Sequence, residues 1–189
     1  STDAYVAKFS PDGSNLVFMT YLGGSSGDIA NSISINDSGR IFLCGRSGSQ
    51  NFPITPGAIA NNNSTTYVPF AASLTGDGAN LIYSTQFCHA CAGNAFGLAT
   101  VSNNEVVITG VYTTNVNYPF PTTPGAFITT AQGSSDGWVL RLNATGTALV
   151  WSTMLASPGL DNLYDVAVND LEEPYVVGYS SSAAFPITP

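Results

Sequence analysis

The chain has 189 residues, of which 44% are hydrophobic and 8% are charged, and twelve acidic against four basic residues give a net charge of −8. A chain of this length and apolar content can bury a core, which excludes a disordered protein. No basic patch is available to neutralise phosphates, so nucleic acid and anionic membrane surfaces are excluded as partners. Apolar runs are far shorter than the roughly 20 residues of a transmembrane helix, so membrane insertion is excluded too.

Short apolar runs rich in Val, Ile and aromatic residues, separated by turn residues, predict β-strands along the whole chain. In chain order they are AYVAKF (4–9), LVFMTYL (16–22), ANSISI (30–35), IFLCG (41–45), PFAASL (69–74), LIYSTQF (81–87), AFGLATV (95–101), VVITG (106–110), GWVLRL (137–142), LVWSTML (149–155), LYDVAV (163–168) and YVVG (175–178). No segment shows a sustained helical period. The fold class predicted from these runs is all-β.

These strands fall into three copies of one unit. LVFMTYL recurs as LIYSTQF and LVWSTML, at spacings of 65 and 68 residues. A turn glycine lies between the first two runs of each copy, at Gly13, Gly78 and Gly146. A period of this length, filled with strand-length runs, is typical of propeller blades or similar modules.

The long connection after the fourth run of each copy repeats a motif, FPITP or FPTTP. It begins with Phe52–Pro53, Phe120–Pro121 and Phe185–Pro186. Two prolines three residues apart fix φ and remove amide donors, which predicts an ordered extended loop anchored by the Phe. We expect these loops to be structural anchors, not three copies of a ligand site.

The pattern DAYVAKFSPDGSNLVFMTYLGG, followed by IANSISINDSGRIFLCG and FPITPGA, resembles the bacterial β-propeller repeat called SBBP, and all three copies, nearly the whole chain, follow it. The resemblance implies four-stranded antiparallel blades around a central axis, in large secreted or cell-surface proteins of bacteria and some archaea. It implies no shared catalytic residues. The chain departs from the pattern at residues 88–91 and at residues 170–174, where the turn glycine is missing.

The phase of the repeat predicts two complete blades with a half blade at each end. The boundaries are an outer-strand half blade (1–24), two blades (25–91 and 92–158) and an inner-strand half blade (159–189) of one partial propeller. Closed propellers typically have four to eight blades, so the chain is not expected to close on itself. Three alternatives stay open: an excerpt of a longer propeller, a six-bladed ring with a second copy, or copies joined end to end through split blades.

Cysteine chemistry is concentrated in one departure from the repeat. A lone CxxC with one His offers fewer than the four ligands of a structural zinc site, so Cys88 and Cys91 are predicted to form a local disulfide. Cys44 aligns with Thr109 and Val177 and is expected to be a buried small side chain.

Three carboxylates, Asp28, Asp161 and Asp165, are weak candidates for calcium ligands near one mouth of the channel. No recognised calcium-loop spacing supports them, so solvated turn residues are the favoured interpretation and no other cofactor is expected. Glu172 and Glu173 are expected in an exposed turn.

Aromatic residues have two interpretations. Tyr5, Phe70 and Trp138 recur at one position of the repeat, which predicts packing between blades. Tyrosines near strand ends or in loops offer faces for sugar stacking; they are Tyr67, Tyr112, Tyr118 and Tyr179.

The function predicted from the sequence is a non-catalytic extracellular or cell-surface scaffold or adhesion module. No Ser, His and Asp occur in a recognisable catalytic order, and a pair of glycosidase carboxylates is not visible from sequence. The alternatives are a self-assembling subunit of a ring or filament, and a carbohydrate-binding or carbohydrate-active propeller. The expected partners are further copies, the rest of a longer chain, or a protein or glycan ligand. Sequons at Asn36, Asn62, Asn63 and Asn143 matter only in a glycosylating host.

Overall fold

The computed structural model describes residues 2–60, 66–115 and 117–188, so the sequons at Asn62 and Asn63 lie outside the described residues. Within these ranges the all-β prediction is confirmed, with one short 3₁₀ turn at Ser102–Asn104. The strands are β1 (Ala4–Phe9), β2 (Leu16–Leu22), β3 (Asp28–Ile35), β4 (Ile41–Ser47), β5 (Val68–Leu74), β6 (Leu81–Gln86), β7 (Gly93–Thr100), β8 (Val106–Thr113), β9 (Ser135–Leu142), β10 (Leu149–Leu155), β11 (Asp161–Val168) and β12 (Pro174–Ser180). No helix in the described ranges has the length and apolarity needed to cross a membrane.

The strands form four antiparallel sheets. The first sheet is β1–β2, the second β3–β4–β5–β6, the third β7–β8–β9–β10 and the fourth β11–β12. Every connection within a sheet joins neighbours, as in a meander. Among the described residues the first and fourth sheets are not hydrogen-bonded to each other, so the array is open.

The first strand of each four-strand unit is longer than the sequence predicts. β3, β7 and β11 begin two residues early, at Asp28, Gly93 and Asp161. These residues have low β-propensity, yet each is aligned with the strand that follows it. A register shift follows within three residues, leaving one residue of each strand in a bulge: Asn31, Phe96 and Tyr164. The bulge hides the continuation of the strand from a pattern based on strict alternation.

Each sheet packs face to face on the next in chain order. One core cluster joins the first and second sheets, a larger one joins the second and third, and another joins the third and fourth. Side chains of β4 therefore alternate between two cores: Leu43 packs toward the first sheet and Phe42 toward the third. Burial on both faces explains why β4 and β5 read as continuous apolar runs.

The turn that lacks glycine in the third copy is stabilised by an ion pair. Glu172 takes a φ of 62° where the first copy has Gly39 at 81°. Its carboxylate accepts a hydrogen bond from the Ser102 amide at 2.9 Å and lies 2.8 Å from Arg141 Nη1. Arg141 also contacts Glu105 at 2.6 Å. The expected exposed turn is thus joined to the third sheet.

Candidate functional site

The FPxTP loops cover the complete sheets by packing their Phe against an aromatic residue of the third strand. Phe52 and Phe120 are buried, and their ring centroids lie 4.7 Å from those of Phe70 and Trp138, respectively. Prolines remove the amides that would otherwise need partners in this position. In these two loops the Phe is the anchor that the sequence predicts.

The threonine of each of these two motifs is hydrogen-bonded to the fourth strand of its sheet. Thr55 bonds Ser84 three times: the Thr amide and hydroxyl donate to the Ser carbonyl, at 3.1 Å each, and the hydroxyl accepts from the Ser amide at 3.0 Å. Thr123 repeats this arrangement with Ser152. The loop therefore ties the second strand of a sheet to its fourth.

The aromatic residue of the third strand occupies a socket made of three repeat positions. Phe70 shares a core cluster with Leu22 and Phe52, and it lies opposite Gly45 in the strand pairing. A side chain on Gly45 would collide with the backbone of β3. Only glycine therefore fits beside the ring.

Trp138 occupies the second socket of the same kind. Phe87 contacts it edge to face at 5.7 Å, Phe120 stacks on it, and Gly110 lies opposite it. A Cβ on Gly110 would lie 2.6 Å from the indole ring. The pattern of a leucine or phenylalanine, a glycine and a motif phenylalanine is thus used twice.

A third socket of this kind is open. Leu155, Gly178 and Phe185 hold the three equivalent positions, and together they line a cavity of about 190 Å³ beside the outer edge of β12. No aromatic residue of a third strand fills it among the described residues, because the fourth sheet consists of β11 and β12.

Large apolar side chains of the end sheets are exposed at positions that are buried in the complete sheets. Tyr5 is 60% exposed, whereas the equivalent Phe70 and Trp138 are fully buried. Val177 is 62% exposed, whereas the equivalent Cys44 and Thr109 are fully buried. The prediction that Tyr5 packs between blades is wrong within one chain, because no sheet of the described residues lies on that face of β1.

The same contrast holds at two more positions. Phe9 and Tyr175 are about 60% exposed, while their equivalents in the complete sheets are buried: Leu74 and Leu142 for Phe9, and Phe42 and Val107 for Tyr175. Ile33 differs, because it is half exposed although it lies in the complete second sheet, whereas the equivalent Leu98 and Val166 are buried. Exposed apolar surface of this extent marks an interaction site in a folded protein.

The candidate carboxylates lie apart and serve their own loops. Asp28 Oδ2 accepts from the Gly24 amide and the Ser49 hydroxyl at 2.7 Å, and Asp161 Oδ2 accepts from Ser157 Oγ at 2.5 Å. Both residues are buried, and their Oδ1 atoms have no hydrogen-bond partner among the described residues. Asp165 is exposed.

The predicted solvated turns are therefore wrong for Asp28 and Asp161, because both side chains fold inward to hold the loop before their strand. The described part of the chain contains no cluster of three His, Cys, Asp or Glu residues fit to hold a metal. Calcium binding by these residues stays a weak prediction.

Cys88 and Cys91 are joined by a disulfide, with Cα atoms 5.8 Å apart. In this copy Gly93 replaces the acid found at Asp28 and Asp161, so the covalent link holds the loop that a carboxylate holds elsewhere. Cys44 is a free, buried thiol; its burial raises its pKa well above the ordinary range, so it is unreactive.

The tyrosines proposed for sugar stacking have different environments. Tyr112 is buried, and its hydroxyl is bonded to loop carbonyls, so it is structural. Tyr67 lies under Arg46, 4.6 Å from the guanidinium carbon. Tyr179 packs 6.0 Å from Tyr164, a residue that sequence reasoning missed.

Phe96 is the other missed aromatic, 5.5 Å from Tyr164 on the neighbouring sheet. Both occupy the bulge position, and aligning the three copies at their glycines would have placed them together. Bulges redirect a side chain, which is why these two rings meet between sheets.

Comparison with known proteins gives one family match. The model for the beta-propeller repeat SBBP matches residues 17–53, from β2 to the first Phe-Pro pair. No curated protein matches the chain. The resemblance expected for all three copies is therefore supported by this comparison for one copy, and it indicates a propeller-type module.

Proposed function

We propose that this chain is a non-catalytic scaffold of propeller type whose two end sheets are joined by pairing with a second copy. The observation that carries the proposal is a contrast between equivalent residues of the three copies: Tyr5 is exposed, while Phe70 and Trp138 are fully buried. Exposed apolar side chains on an open sheet edge are a liability that pairing with another strand removes.

A ring of two copies accounts for the number of strands. Two chains, each with twelve described strands, supply six four-stranded blades. Six is within the four to eight blades that closed propellers have. Closure by a two-fold axis would leave neither copy with a free edge, whereas a rotation that fails to close would give a filament.

A scaffold role is favoured over catalysis because the repeated polar positions support loops. Asp28 and Asp161 bind the loops before their strands, and Thr55 and Thr123 bind outer strands. Placement outside the cell is part of the proposal. It is supported by the Cys88–Cys91 disulfide and by the small share of charged residues, 8% of the chain.

Sedimentation velocity over a range of protein concentrations tests the assembly. We expect a species of twice the 19.6 kDa chain mass that dissociates on dilution. A particle of 19.6 kDa at every concentration would contradict pairing between copies. Larger, open-ended particles would contradict the two-copy ring and favour the filament.

Carbohydrate binding is a second candidate because of the aromatic row Phe96, Tyr164 and Tyr179. Tyr164 and Tyr179 are nearly half exposed, and Asn162 Nδ2 donates to the Tyr179 hydroxyl at 3.2 Å. Aromatic faces beside an amide suit a sugar ring. A glycan array read with wild type and Tyr164→Ala tests this; equal signals would remove these rings as the site.

A further inference from the structure

We infer that Tyr5 of one copy inserts into the socket formed by Leu155, Gly178 and Phe185 of a second copy. This inference rests on the proposed pairing of copies and specifies its contact. The socket is a cavity of about 190 Å³, and Tyr5 is 60% exposed on the face of β1 that points away from the second sheet.

The chain forms a contact of this kind twice within itself. Phe70 fills the socket of Leu22, Gly45 and Phe52, and Trp138 fills that of Phe87, Gly110 and Phe120. Tyr5 has the same repeat position as both rings. The side chain of Tyr5 has a volume between those of Phe70 and Trp138. A socket of the same kind can therefore accommodate its ring.

The register of the paired strands within the chain also favours this contact. β4 pairs with β5, and β8 with β9, so that Gly45 lies opposite Phe70 and Gly110 opposite Trp138. Transferring this register to the open edges places Gly178 of one copy opposite Tyr5 of the other. It also places Val176 opposite Ala7, since the equivalent pairs are Leu43 with Ala72 and Ile108 with Leu140.

The last FPxTP loop also favours this contact, because the described strands of its own sheet include no fourth strand for it to bind. Ile187 is 88% exposed, whereas the equivalent Ile54 packs on a core cluster. Thr188 is equivalent to Thr55 and Thr123, whose targets Ser84 and Ser152 are equivalent to Met19. β2 of the second copy would therefore lie under this loop, and the backbone of Met19 would bond Thr188.

The test measures the dissociation constant of the assembly by sedimentation for four variants. Tyr5→Ala removes the ring, and we expect at least tenfold weaker association, about 1.4 kcal/mol. Tyr5→Trp restores a ring type that Trp138 already uses, and it should assemble nearly as wild type. Phe127→Ala is the matched control, since Phe127 is 69% exposed and lies in the connection between β8 and β9.

Leu155→Trp fills the socket from the other side and should also weaken association at least tenfold. Folding of each chain is checked by circular dichroism and thermal unfolding. If Tyr5→Ala and Leu155→Trp fold and assemble with unchanged affinity, the socket contact is wrong although copies do pair. If wild type itself never exceeds one chain mass, the proposed pairing fails, and this contact with it.

Discussion

At the scale of single residues, the chain gives one side chain different roles in different copies. Phe52 and Phe120 complete buried aromatic pairs, while Phe185 lines an open cavity. The acids show the opposite case, because Asp28 and Asp161 hold in two copies the loop that a disulfide holds in the middle copy. A repeated residue therefore need not have a repeated environment, and a repeated role need not use the same residue.

The motif phenylalanines provide a matched pair of substitutions. Phe120→Ala should lower the free energy of unfolding by about 3–5 kcal/mol, because it leaves a cavity against Trp138. Phe185→Ala should change the unfolding of the dissociated chain much less, since its ring is only partly buried and lines an open cavity. Urea denaturation at low protein concentration measures both, and equal losses would contradict the assignment.

Glu172 predicts a specific pH dependence. Hydrogen bonds from Ser102, and then from Arg141, lower the pKa of Glu172 from 4.5 to about 2. A carboxyl group whose pKa is lower in the folded state stabilises the fold above its unfolded pKa, and that contribution is lost as pH falls. The stability difference between wild type and Glu172→Gln should thus be full above pH 4.5 and disappear toward pH 2.

The measurement is urea denaturation of both proteins between pH 2 and pH 7. Glu173→Gln is the control, because the Glu173 carboxylate bonds Asn169 within its own turn at 2.6 Å. A difference between wild type and Glu172→Gln that does not change with pH would show that the ionised Glu172 carboxylate, with its bonds to Ser102 and Arg141, does not stabilise the turn.

At the scale of elements, the sequence predicts the strands well and their ends less well. β1, β2 and β10 begin and end where the apolar runs do. β7 and β11 extend past their apolar runs because bulges at Phe96 and Tyr164 interrupt the alternation on which the sequence prediction depends. The repeat shows each member of the socket as a recurring position, but their contact could not be predicted, because it joins residues far apart in sequence.

The hydrogen bonds between the motif threonine and the fourth strand predict the effect of replacing that threonine. Thr55→Val keeps the shape but leaves the amide of Ser84 without its acceptor, so unfolding should become easier by about 1–3 kcal/mol. Thr188→Val should leave the stability of one chain unchanged, because its proposed partner belongs to another copy. Chemical denaturation of dilute samples compares them, and a similar loss for Thr188→Val would contradict the assignment of its partner.

At the scale of the whole molecule, the account rests on two open edges with complementary sequences. β1 is equivalent to β5 and β9, and β12 is equivalent to β4 and β8, which pair along their full length. The number of sheets and their order follow from the phase of the repeat. The exposure of Tyr5, Tyr175 and Val177 does not, since it depends on which neighbours a sheet has.

Disulfide trapping across the proposed junction tests whether β12 of one copy pairs with β1 of the other. Ala7→Cys and Val176→Cys are made in separate chains with Cys44→Ala and mixed, because directly opposed strand residues lie within disulfide reach. We expect a mixed, reducible dimer with this pair. Much less dimer should form when Pro174→Cys replaces Val176→Cys, since residue 174 should lie opposite Phe9 and not opposite residue 7. Equal trapping by both pairs, or none by either at concentrations where wild type assembles, would contradict the joining of β12 to β1.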